Sequence, residues 1–543
     1  MKATVFSANE WLYSDTPPIQ GGDQIALATA RGARCACQVL VEAQGEAELS
    51  FSLDGAIPGT PQICQLVDVM VERNTGLHGF VTKPGDDPSD YISRAAPFRV
   101  YDALKPVTNS CELKGGQAAL HLLWRIPTDA EPGVYQTTLC LSAGSTAAEI
   151  PIEIQVHAAR VPIQGSLKVT NWFSLENMGT RHGLELWSEA HWQMIERYAR
   201  LMRDGRQNHF LLPIRLVEFE QNPDGSYCFD FSRVERLANL FFDLGFTCLE
   251  GGHVGSRLHW SAPEFVLAAD RNIEATGPEG YQFLAQYLPA WRQFLVDHGW
   301  LDRCLQYVAD EPTDTSAADY RVLSGIVRKF LPGIRLIDAV ERPELGGAVD
   351  IWVPKNSYYE QHRDAFEAHR ALGDELWFYT CCIPGGHYCN RLLDAPLLRT
   401  RYLHWGNFLY DLKGYLHWGF NHYKATQDPF EENAPAHGEG GTTNLPPGDT
   451  HIVYPGPDGP WGSVRLQAMA MASRTTSSSS NSIPPPGRPS ASAASPPSTN
   501  PTKTSRPSTK PTTTCSPPPA RADGLGRPRP SAQEVAQASP LLP

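Results

Sequence analysis

The sequence predicts a multidomain protein of mixed α/β and β class, with an N-terminal β-sandwich, a (β/α)8-type barrel and a disordered Ser/Pro-rich tail. Three observations support this prediction. Short alternating or apolar runs separated by turn residues fill residues 1–162. Strand-like runs separated by helical patterns fill residues 163–425. Residues 471–543 contain no aromatic residue. The remaining stretch, 426–470, is predicted to be a C-terminal extension that packs on the barrel.

Composition excludes several classes of function. The chain has 543 residues and a net charge of −13, which argues against a nucleic-acid or anionic-membrane binder. No apolar run approaches the ~18 residues that a membrane-spanning helix needs, and the N-terminus has no apolar signal region. We therefore expect a cytoplasmic protein. The 12 cysteines have no regular spacing and are expected to be reduced thiols.

The N-terminal region has the pattern of paired strands. Residues Glu149–Val156 alternate strictly between apolar and polar types, as a half-buried strand does. Residues 133–139 form another strand candidate, after the turn-prone Asp129–Pro132. Cys35 and Cys37 lack a second pair, so a zinc site is not expected. We assign this region a packing or substrate-framing role.

The middle region has eight apolar strand candidates, which matches a (β/α)8 barrel in number and length. Helical patterns lie between most of them, and Ser188 is predicted to cap one helix. The link between Val340 and Asp350 is too short for a full helix. A doubly wound sheet is the alternative. The strand candidates are Leu167–Phe173, His209–Ile214, Phe246–Gly251, Cys304–Ala309, Ile334–Val340, Asp350–Val353, Leu376–Cys382 and Gly414–Phe420.

Two adjacent acids, Asp310 and Glu311, follow the fourth strand candidate. Active residues of such barrels lie at the carboxyl ends of the strands. Neighbouring residues on a regular strand face opposite sides, so both acids reach one cavity only if the strand end twists or bulges. Two carboxyls that share a site raise at least one pKa, which suits a general acid. The alternative is an acid-rich turn in which Glu311 or Asp314 caps a helix.

Other strand ends carry residue types that bind sugars. Aromatic rings stack on sugar faces, and amide, imidazole and guanidinium groups bond hydroxyls. Three further acids, Glu250, Asp338 and Glu341, are alternative nucleophiles for a sugar without an acetamido group. The candidate substrate-binding residues are Trp172, His253, Asn356, Tyr379, Asn390, Arg391, Trp418 and Asn421.

A group of thiols and an imidazole, Cys381, Cys382, His387 and Cys389, contains the ligand types that zinc prefers. Adjacent cysteines on a strand point apart, however, and the usual two-residue spacing of zinc ligands is absent. We therefore predict packed cysteines, with no metal and no cofactor. A Cys nucleophile would need a positioned His base, and His387 is the available residue.

The tail changes character abruptly after Ala470. Ser, Pro and Thr make up 40 of the 73 residues from Met471 to Pro543. A segment of this composition buries too little apolar surface to offset the entropy lost on ordering, so we predict that it is disordered. One choice of codons for Met471–Asn481, read two bases later, encodes Gly-Ile-Glu-Asp-Tyr-Glu-Leu-Leu-Lys-Gln, a helical pattern. We hypothesise a frameshift near Ala470, against a genuine linker tail. The DNA sequence across these codons distinguishes the frameshift from the genuine tail, because only a frameshift requires an alternative frame that encodes an amphipathic helix.

Several motifs together resemble glycoside hydrolase family 123 and the related domain-of-unknown-function family 4091. The resemblance covers roughly residues 120–469. It lies in Tyr307-Val-Ala-Asp310-Glu311-Pro312, Leu376-Trp-Phe-Tyr379-Thr-Cys-Cys, Asn390-Arg391, Thr400-Arg401, Gly414-Tyr-Leu-His-Trp418-Gly-Phe-Asn421, Leu445-Pro-Pro-Gly-Asp449 and Ile452-Val-Tyr-Pro-Gly456.

This resemblance implies a β-sandwich, a catalytic barrel and exo-β-N-acetylgalactosaminidase activity with retention. It also implies substrate assistance, in which the sugar's own 2-acetamido oxygen attacks the anomeric carbon. By the same resemblance Glu311 is the acid/base and Asp310 orients the acetamido group. A glycan or glycoside is the expected partner. The alternatives are a glycosidase with a protein nucleophile and a non-catalytic carbohydrate-binding protein.

Overall fold

The computed structural model describes residues 1–16, 21–59, 61–81, 90–162, 165–437, 441 and 443–479. It is a multidomain protein of mixed α/β structure. Within these ranges no helix combines the length and apolar character needed to cross a bilayer. Residues 480–543, which hold most of the predicted disordered tail, lie outside the described residues.

The N-terminal region consists of strands in two sheets. The first sheet has the order β1-β3-β8-β5-β6 and is antiparallel; the second has the order β2-β10-β9-β4-β7. One apolar cluster contains residues of both sheets, including Val39, Leu120, Leu139 and Ile154. The strands are β1 (Lys2–Ser7), β2 (Ile25–Arg31), β3 (Arg34–Glu42), β4 (Glu48–Asp54), β5 (Pro61–Val71), β6 (Phe98–Pro106), β7 (Ser110–Glu112), β8 (Gln117–Arg125), β9 (Gly133–Ala143) and β10 (Thr146–Arg160).

The central region alternates strands and helices. Its elements are β11 (Lys168–Asn171), α1 (Leu175–Thr180), α2 (Glu189–Asp204), β12 (His209–Leu212), β13 (Glu218–Gln221), β14 (Tyr227–Asp230), α3 (Ser232–Asp243), β15 (Cys248–Gly251), β16 (Gly255–Ser256), β17 (Val266–Leu267), α4 (Pro278–Asp297), β18 (Cys304–Tyr307), α5 (Ala317–Phe330), β19 (Arg335–Val340), β20 (Ile351–Pro354), α6 (Asn356–Gln361), α7 (Arg363–Ala371), β21 (Glu375–Leu376), β22 (Phe378–Tyr379), α8 (Leu397–Leu409) and β23 (Gly414–His417).

Each of the eight strand candidates of the sequence contains a strand here. Parallel pairing gives the order β12-β15-β18-β19-β20-β21 in one sheet and β11-β23-β22 in another. As predicted, β19 and β20 are joined without a helix. Ser188 also caps α2 as predicted, because its hydroxyl accepts a hydrogen bond from the His191 N–H.

The C-terminal segment returns to the first sheet. It contains β24 (Ala436–His437), β25 (Thr443–Asn444), β26 (Tyr454–Gly456), β27 (Gly459–Ser463) and α9 (Val464–Ser479). Strand β27 pairs with β6, while Leu466 and Met469 of α9 pack into the core of the central region. The segment therefore contacts both regions rather than the central one alone. Helix α9 also includes residues 471–479, so the structure differs there from the prediction of disorder.

Candidate active site

The two adjacent acids lie on a bend that follows β18. The strand ends at Tyr307, two residues earlier than predicted, and the chain bends at residues 309–311. Glu311 has a φ of 43°, in the left-handed region that non-glycine residues seldom adopt. Strand alternation therefore does not apply to Asp310 and Glu311. The strand end therefore bends, which is what the sequence analysis required if both acids were to reach one cavity.

A buried carboxylate beneath the bend fixes its shape. Asp338 on β19 has no exposed surface, and its Oδ2 accepts hydrogen bonds from the main-chain N–H groups of Val308 (3.1 Å) and Ala309 (3.3 Å). The Tyr320 hydroxyl donates to the same oxygen. Burial raises the pKa of Asp338 well above its usual value. These contacts hold the backbone that carries the two acids.

The alternative, in which Glu311 or Asp314 caps a helix, does not occur at α5. The residue before α5 is Ser316, and neither Glu311 nor Asp314 occupies that position. Asp314 instead lies 3.5 Å from the guanidinium of Arg342 and is largely exposed. Glu311 and Asp314 therefore do not cap helix α5.

Asp310 is partly exposed and has an unusual proton affinity. Burial raises the pKa of its carboxyl to about 7, and the nearby Glu311 acts in the same direction, while Arg257 and Lys355 act in the opposite direction. Among the described residues, no side chain or backbone group donates a hydrogen bond to this carboxyl within the distances of an ordinary bond. The Asp310 carboxyl is therefore partly exposed and unbonded within the described residues, and its pKa lies near neutral pH.

Glu311 is held by a buried lysine. The Nζ of Lys355, at the end of β20, lies 2.8 Å from Glu311 Oε1 and 3.1 Å from Glu341 Oε1. The Lys355 side chain is only 3% exposed, while that of Glu311 is 13% exposed. The rings of Tyr358 and Tyr379 each lie 5.0 Å from the same ammonium. A single cation thus fixes the Glu311 carboxylate and is shared with a second acid.

Aromatic side chains cluster around Trp172, just after β11. The ring of Trp172 meets those of His253 and Tyr307 edge to face, at centroid distances of 5.3 and 5.4 Å. Trp172 and His253 both border a cavity of about 110 Å³. Burial lowers the pKa of His253 to about 3, so this ring is neutral at physiological pH. Trp172 and His253 are 3% and 6% exposed, so only a small part of either ring faces this cavity.

The alternative nucleophiles are poorly placed. Glu250 and Asp338 are 0% exposed. Glu250 accepts a 3.0 Å hydrogen bond from Thr170, and burial raises its pKa to about 8. Glu341 retains some exposure but is bound to Lys355. A mechanism with a second protein carboxylate as nucleophile therefore has only Glu341 within solvent reach among the three candidates.

Six of the eight predicted substrate-binding residues are at most 6% exposed, and three of these six have their polar groups bonded inside the protein. Asn390, Arg391 and Asn421 are at most 2% exposed. Asn390 donates to Cys381 O and Pro384 O. Arg391 donates to Asn171 Oδ1 and His417 Nδ1, and Asn421 bonds both main-chain groups of Ser174. We correct the prediction for these residues, because their polar groups hold loops together instead of facing a ligand.

Of the other predicted residues, Tyr379 lies beside Lys355, the lysine that binds Glu311, and Asn356 directly follows that lysine in the chain. The Tyr379 hydroxyl and the Asn356 Oδ1 have no hydrogen-bond partner in the described part of the chain. Trp418 is partly exposed, and its indole N–H donates to Asp449 Oδ2 at 3.2 Å. With Trp172 and His253, these side chains remain candidates for contact with a saccharide.

The group of cysteines does not form a metal site. Across the ranges that the structure describes, no three His, Cys, Asp or Glu side chains are gathered so that they would hold an ion. The Sγ atoms of Cys381 and Cys382 are 3.9 Å apart, and His387 stacks on Tyr388 at 4.2 Å. The Cys381 thiol and burial keep the pKa of Cys382 well above its usual value, which makes it a poor nucleophile.

Sequence reasoning missed the ionic partners of the acids. Lys355 follows the sixth strand candidate and Glu341 the fifth, and a charged residue after a strand was the signal that the sequence offered. Their separation along the chain does not show that Lys355 binds both Glu311 and Glu341. Asp449, which receives the Trp418 indole, is 0% exposed, and burial raises its pKa to about 7. It lies in the C-terminal segment, where no strand-end rule applies.

Comparison with known proteins gives the family context. Residues 172–477 match the family described as glycoside hydrolase 123, catalytic domain. The structure is similar to that of a family 123 glycoside hydrolase from Clostridium perfringens, with a TM-score of 0.69, 14% identity and 87% of each chain covered. No curated protein sequence matches significantly.

Two further solved structures have lower similarity. A GH10 xylanase with a bacterial Ig-like domain, from termite gut, has a TM-score of 0.34 and 9% identity over 84% of this chain and 100% of that one. A GH39 β-xylosidase from Caulobacter crescentus has a TM-score of 0.37 and 12% identity over 58% of this chain and 72% of that one.

Proposed function

The chain belongs to glycoside hydrolase family 123 and is a glycosidase, and we propose that it is a retaining exo-β-N-acetylgalactosaminidase that uses substrate assistance. The observation that carries this proposal is the bend after β18, which frees Asp310 and Glu311 from strand alternation. Asp310 lacks a hydrogen-bond donor among the described residues, while Glu311 is oriented by Lys355. Two neighbouring acids in different environments suit two different roles.

In the proposed first step, the acetamido oxygen of the bound sugar attacks the anomeric carbon, and the glycosidic bond breaks. Glu311 gives its proton to the leaving oxygen. Asp310 in its ionised form accepts a hydrogen bond from the acetamido N–H and stabilises the positive charge of the oxazolinium-like intermediate. Glu311 then takes a proton from water as the water opens that ring. Retention follows from these two displacements at one carbon.

Glu341 has a supporting role in this scheme. When Glu311 carries its proton, it no longer neutralises Lys355, and an unpaired buried ammonium is unfavourable. Glu341 lies 3.1 Å from the same Nζ and keeps the cation paired. The lysine therefore serves both protonation states of Glu311.

We further propose that the central strands form a closed (β/α)8 barrel and that the two N-terminal sheets form a sandwich. Support for closure comes from two links between the parallel sheets. The main-chain N–H of Trp377, just before β22, donates to the main-chain oxygen of Trp352 on β20 at 2.9 Å. The main-chain N–H of Asn208, just before β12, donates to the main-chain oxygen of Val169 on β11 at 3.1 Å. A single barrel would place the bend after β18 at the carboxyl-end mouth, as in other barrels.

The substrate prediction is tested with two aryl β-glycosides that differ only in the 2-substituent. We expect the N-acetylgalactosaminide to be cleaved and the plain galactoside to be left intact, because only the first carries its own nucleophile. Glu311→Gln should lose activity on aglycones that need protonation. Equal cleavage of both substrates would contradict substrate assistance and favour a protein nucleophile, whereas cleavage of neither would contradict the proposed sugar.

A pH prediction follows from the charges around Asp310. The carboxyl must be ionised to act, and its pKa is about 7, so kcat/KM should fall as the pH is lowered through that value. Lys355 lowers this pKa and Glu341 raises it. The acidic limb of the profile should therefore move to higher pH in Lys355→Met and to lower pH in Glu341→Gln. Shifts in the same direction in both variants would exclude Asp310 as the group that titrates.

A further inference from the structure

A second cavity lies at the other end of the central strands. It has a volume of about 530 Å³ and is bordered by Lys168, His209 and Thr247, which lie at the amino ends of β11, β12 and β15. Arg34 on β3 and Arg125 on β8 border it from the N-terminal region. Asp310 and Glu311 follow the carboxyl end of β18, so this cavity is separate from the candidate active site.

The lining of this cavity has far more positive than negative charge. Among the described residues that line it, the cationic ones are Arg34, Arg125, Lys168, Arg200, Arg203 and Arg206, and the single acid is Asp204. Such an excess is unexpected in a chain with a net charge of −13. Burial lowers the pKa of His209 to about 3, so this ring adds no charge.

Pairing leaves part of this charge uncompensated. Asp204 is shared by Arg34 and Arg125, at 2.5 and 2.9 Å. Lys168 and Arg200 bind acids outside the cavity lining, Glu375 and Glu196. Two guanidinium groups remain without a carboxylate among the described residues, those of Arg203 and Arg206.

Arg206 is the most isolated of the six cations. It is 8% exposed, and its Nη1 has no hydrogen-bond partner within the described ranges. Within the described part of the chain, its Nη2 reaches only Pro162 O, at 3.5 Å. Burial lowers the pKa of this guanidinium to about 10, and the charges of Arg34 and Arg203 act in the same direction. Buried charges in proteins are normally paired, so this arrangement lacks an anion.

We propose that this cavity binds a small phosphate-class dianion, either inorganic phosphate or the phosphate group of a small metabolite. Guanidinium groups bind phosphate oxygens through two parallel hydrogen bonds, which suits a site built from arginines. The anion would contact Arg203, in the last turn of α2, and Arg206, just beyond the end of that helix. It would also contact Arg34 of the N-terminal region. Binding would therefore stabilise the junction of the two regions.

The test is thermal unfolding and calorimetric titration of the full chain with inorganic phosphate, against chloride at the same ionic strength. We expect phosphate to raise the midpoint of wild-type unfolding. Arg206→Gln should weaken phosphate binding by about tenfold or more, since a hydrogen bond to a charged group is lost. Arg203→Gln gives a second variant should the first fail to fold. The control, Arg233→Gln, removes an arginine that pairs with Glu218 outside this cavity and should bind phosphate as the wild type does.

Two results would overturn the proposal: wild-type protein that phosphate stabilises no more than chloride, or unchanged phosphate binding in both cavity variants. A hexose phosphate in a parallel titration separates the two sources of the anion. Tighter binding of the hexose phosphate identifies a metabolite as the ligand, and tighter binding of inorganic phosphate identifies the free ion. Glycosidase activity serves as the fold check and should be unchanged in all three variants, because the cavity lies away from the acids.

Discussion

Replacing Asp310 with Asn should reduce kcat on an aryl N-acetyl-β-galactosaminide by about 10²- to 10³-fold, the range that one group stabilising charge in the transition state contributes. The amide has nearly the shape of the carboxyl but does not stabilise the positive charge that develops on the acetamido group. Binding of the substrate should change much less than turnover, because the loss concerns an interaction that strengthens in the transition state. The measurement is steady-state kinetics with separate kcat and KM.

The same variant should fold at least as well as the wild type. The pKa of the Asp310 carboxyl rises from 3.8 to about 7 in the folded protein, so the native state holds this proton more tightly than the unfolded chain does. Folding therefore becomes less favourable as the pH rises between these values. The Asp310→Asn variant lacks this titrating group, so its unfolding midpoint near pH 7 should be equal to or higher than that of the wild type. A collapse of the fold would show that the carboxylate is structural.

A matched control lies in the same loop. Asp314→Asn makes the same chemical change at a side chain that is 75% exposed and only loosely paired with Arg342. This variant should keep wild-type turnover. If it lost as much activity as Asp310→Asn, the effect would come from the loop as a whole, and Asp310 would have no direct part in the reaction.

The sequence predicted where the acids lie because their position depends on local information. An apolar run that ends in Asp310 and Glu311 marks a strand end, and strand ends are where active sites occur. The bend itself was beyond such reasoning. The backbone at the start of the bend is held by Asp338 of the neighbouring strand β19, which accepts hydrogen bonds from the N–H groups of Val308 and Ala309.

The failed predictions have the same physical origin. Arg391 and Asn421 occupy strand-end or loop positions, as sugar-binding residues do, and have suitable side chains. Their partners are remote in the chain: Arg391 bonds Asn171, and Asn421 bonds Ser174. Residue type and position do not distinguish a polar group that faces a ligand from one that is satisfied by a distant residue. Only the packed structure makes that distinction.

Replacing Arg465 with Met should destabilise the whole chain by about 3–5 kcal/mol, the cost of leaving a buried charge without its partner. Arg465 and Asp102 are both 0% exposed, and Arg465 Nε lies 2.9 Å from Asp102 Oδ2. The Nη1 group also donates to the main-chain oxygens of Arg391 (3.0 Å) and Gly448 (2.8 Å). One guanidinium thus joins β6, the loop that follows β22 and the C-terminal segment.

Chemical denaturation of Arg465→Met beside the double variant Arg465→Met/Asp102→Asn separates charge from packing. The double variant should recover part of the loss, because it no longer buries an unpaired carboxylate. Lys413→Met, at an exposed pair with Asp411, is the control and should change the free energy of unfolding by about 1 kcal/mol or less. If Arg465→Met were as mild as this control, the junction between the regions would depend on apolar packing. If the double variant were no more stable than the single one, the lost guanidinium contacts, not the stranded Asp102 charge, would account for the destabilisation.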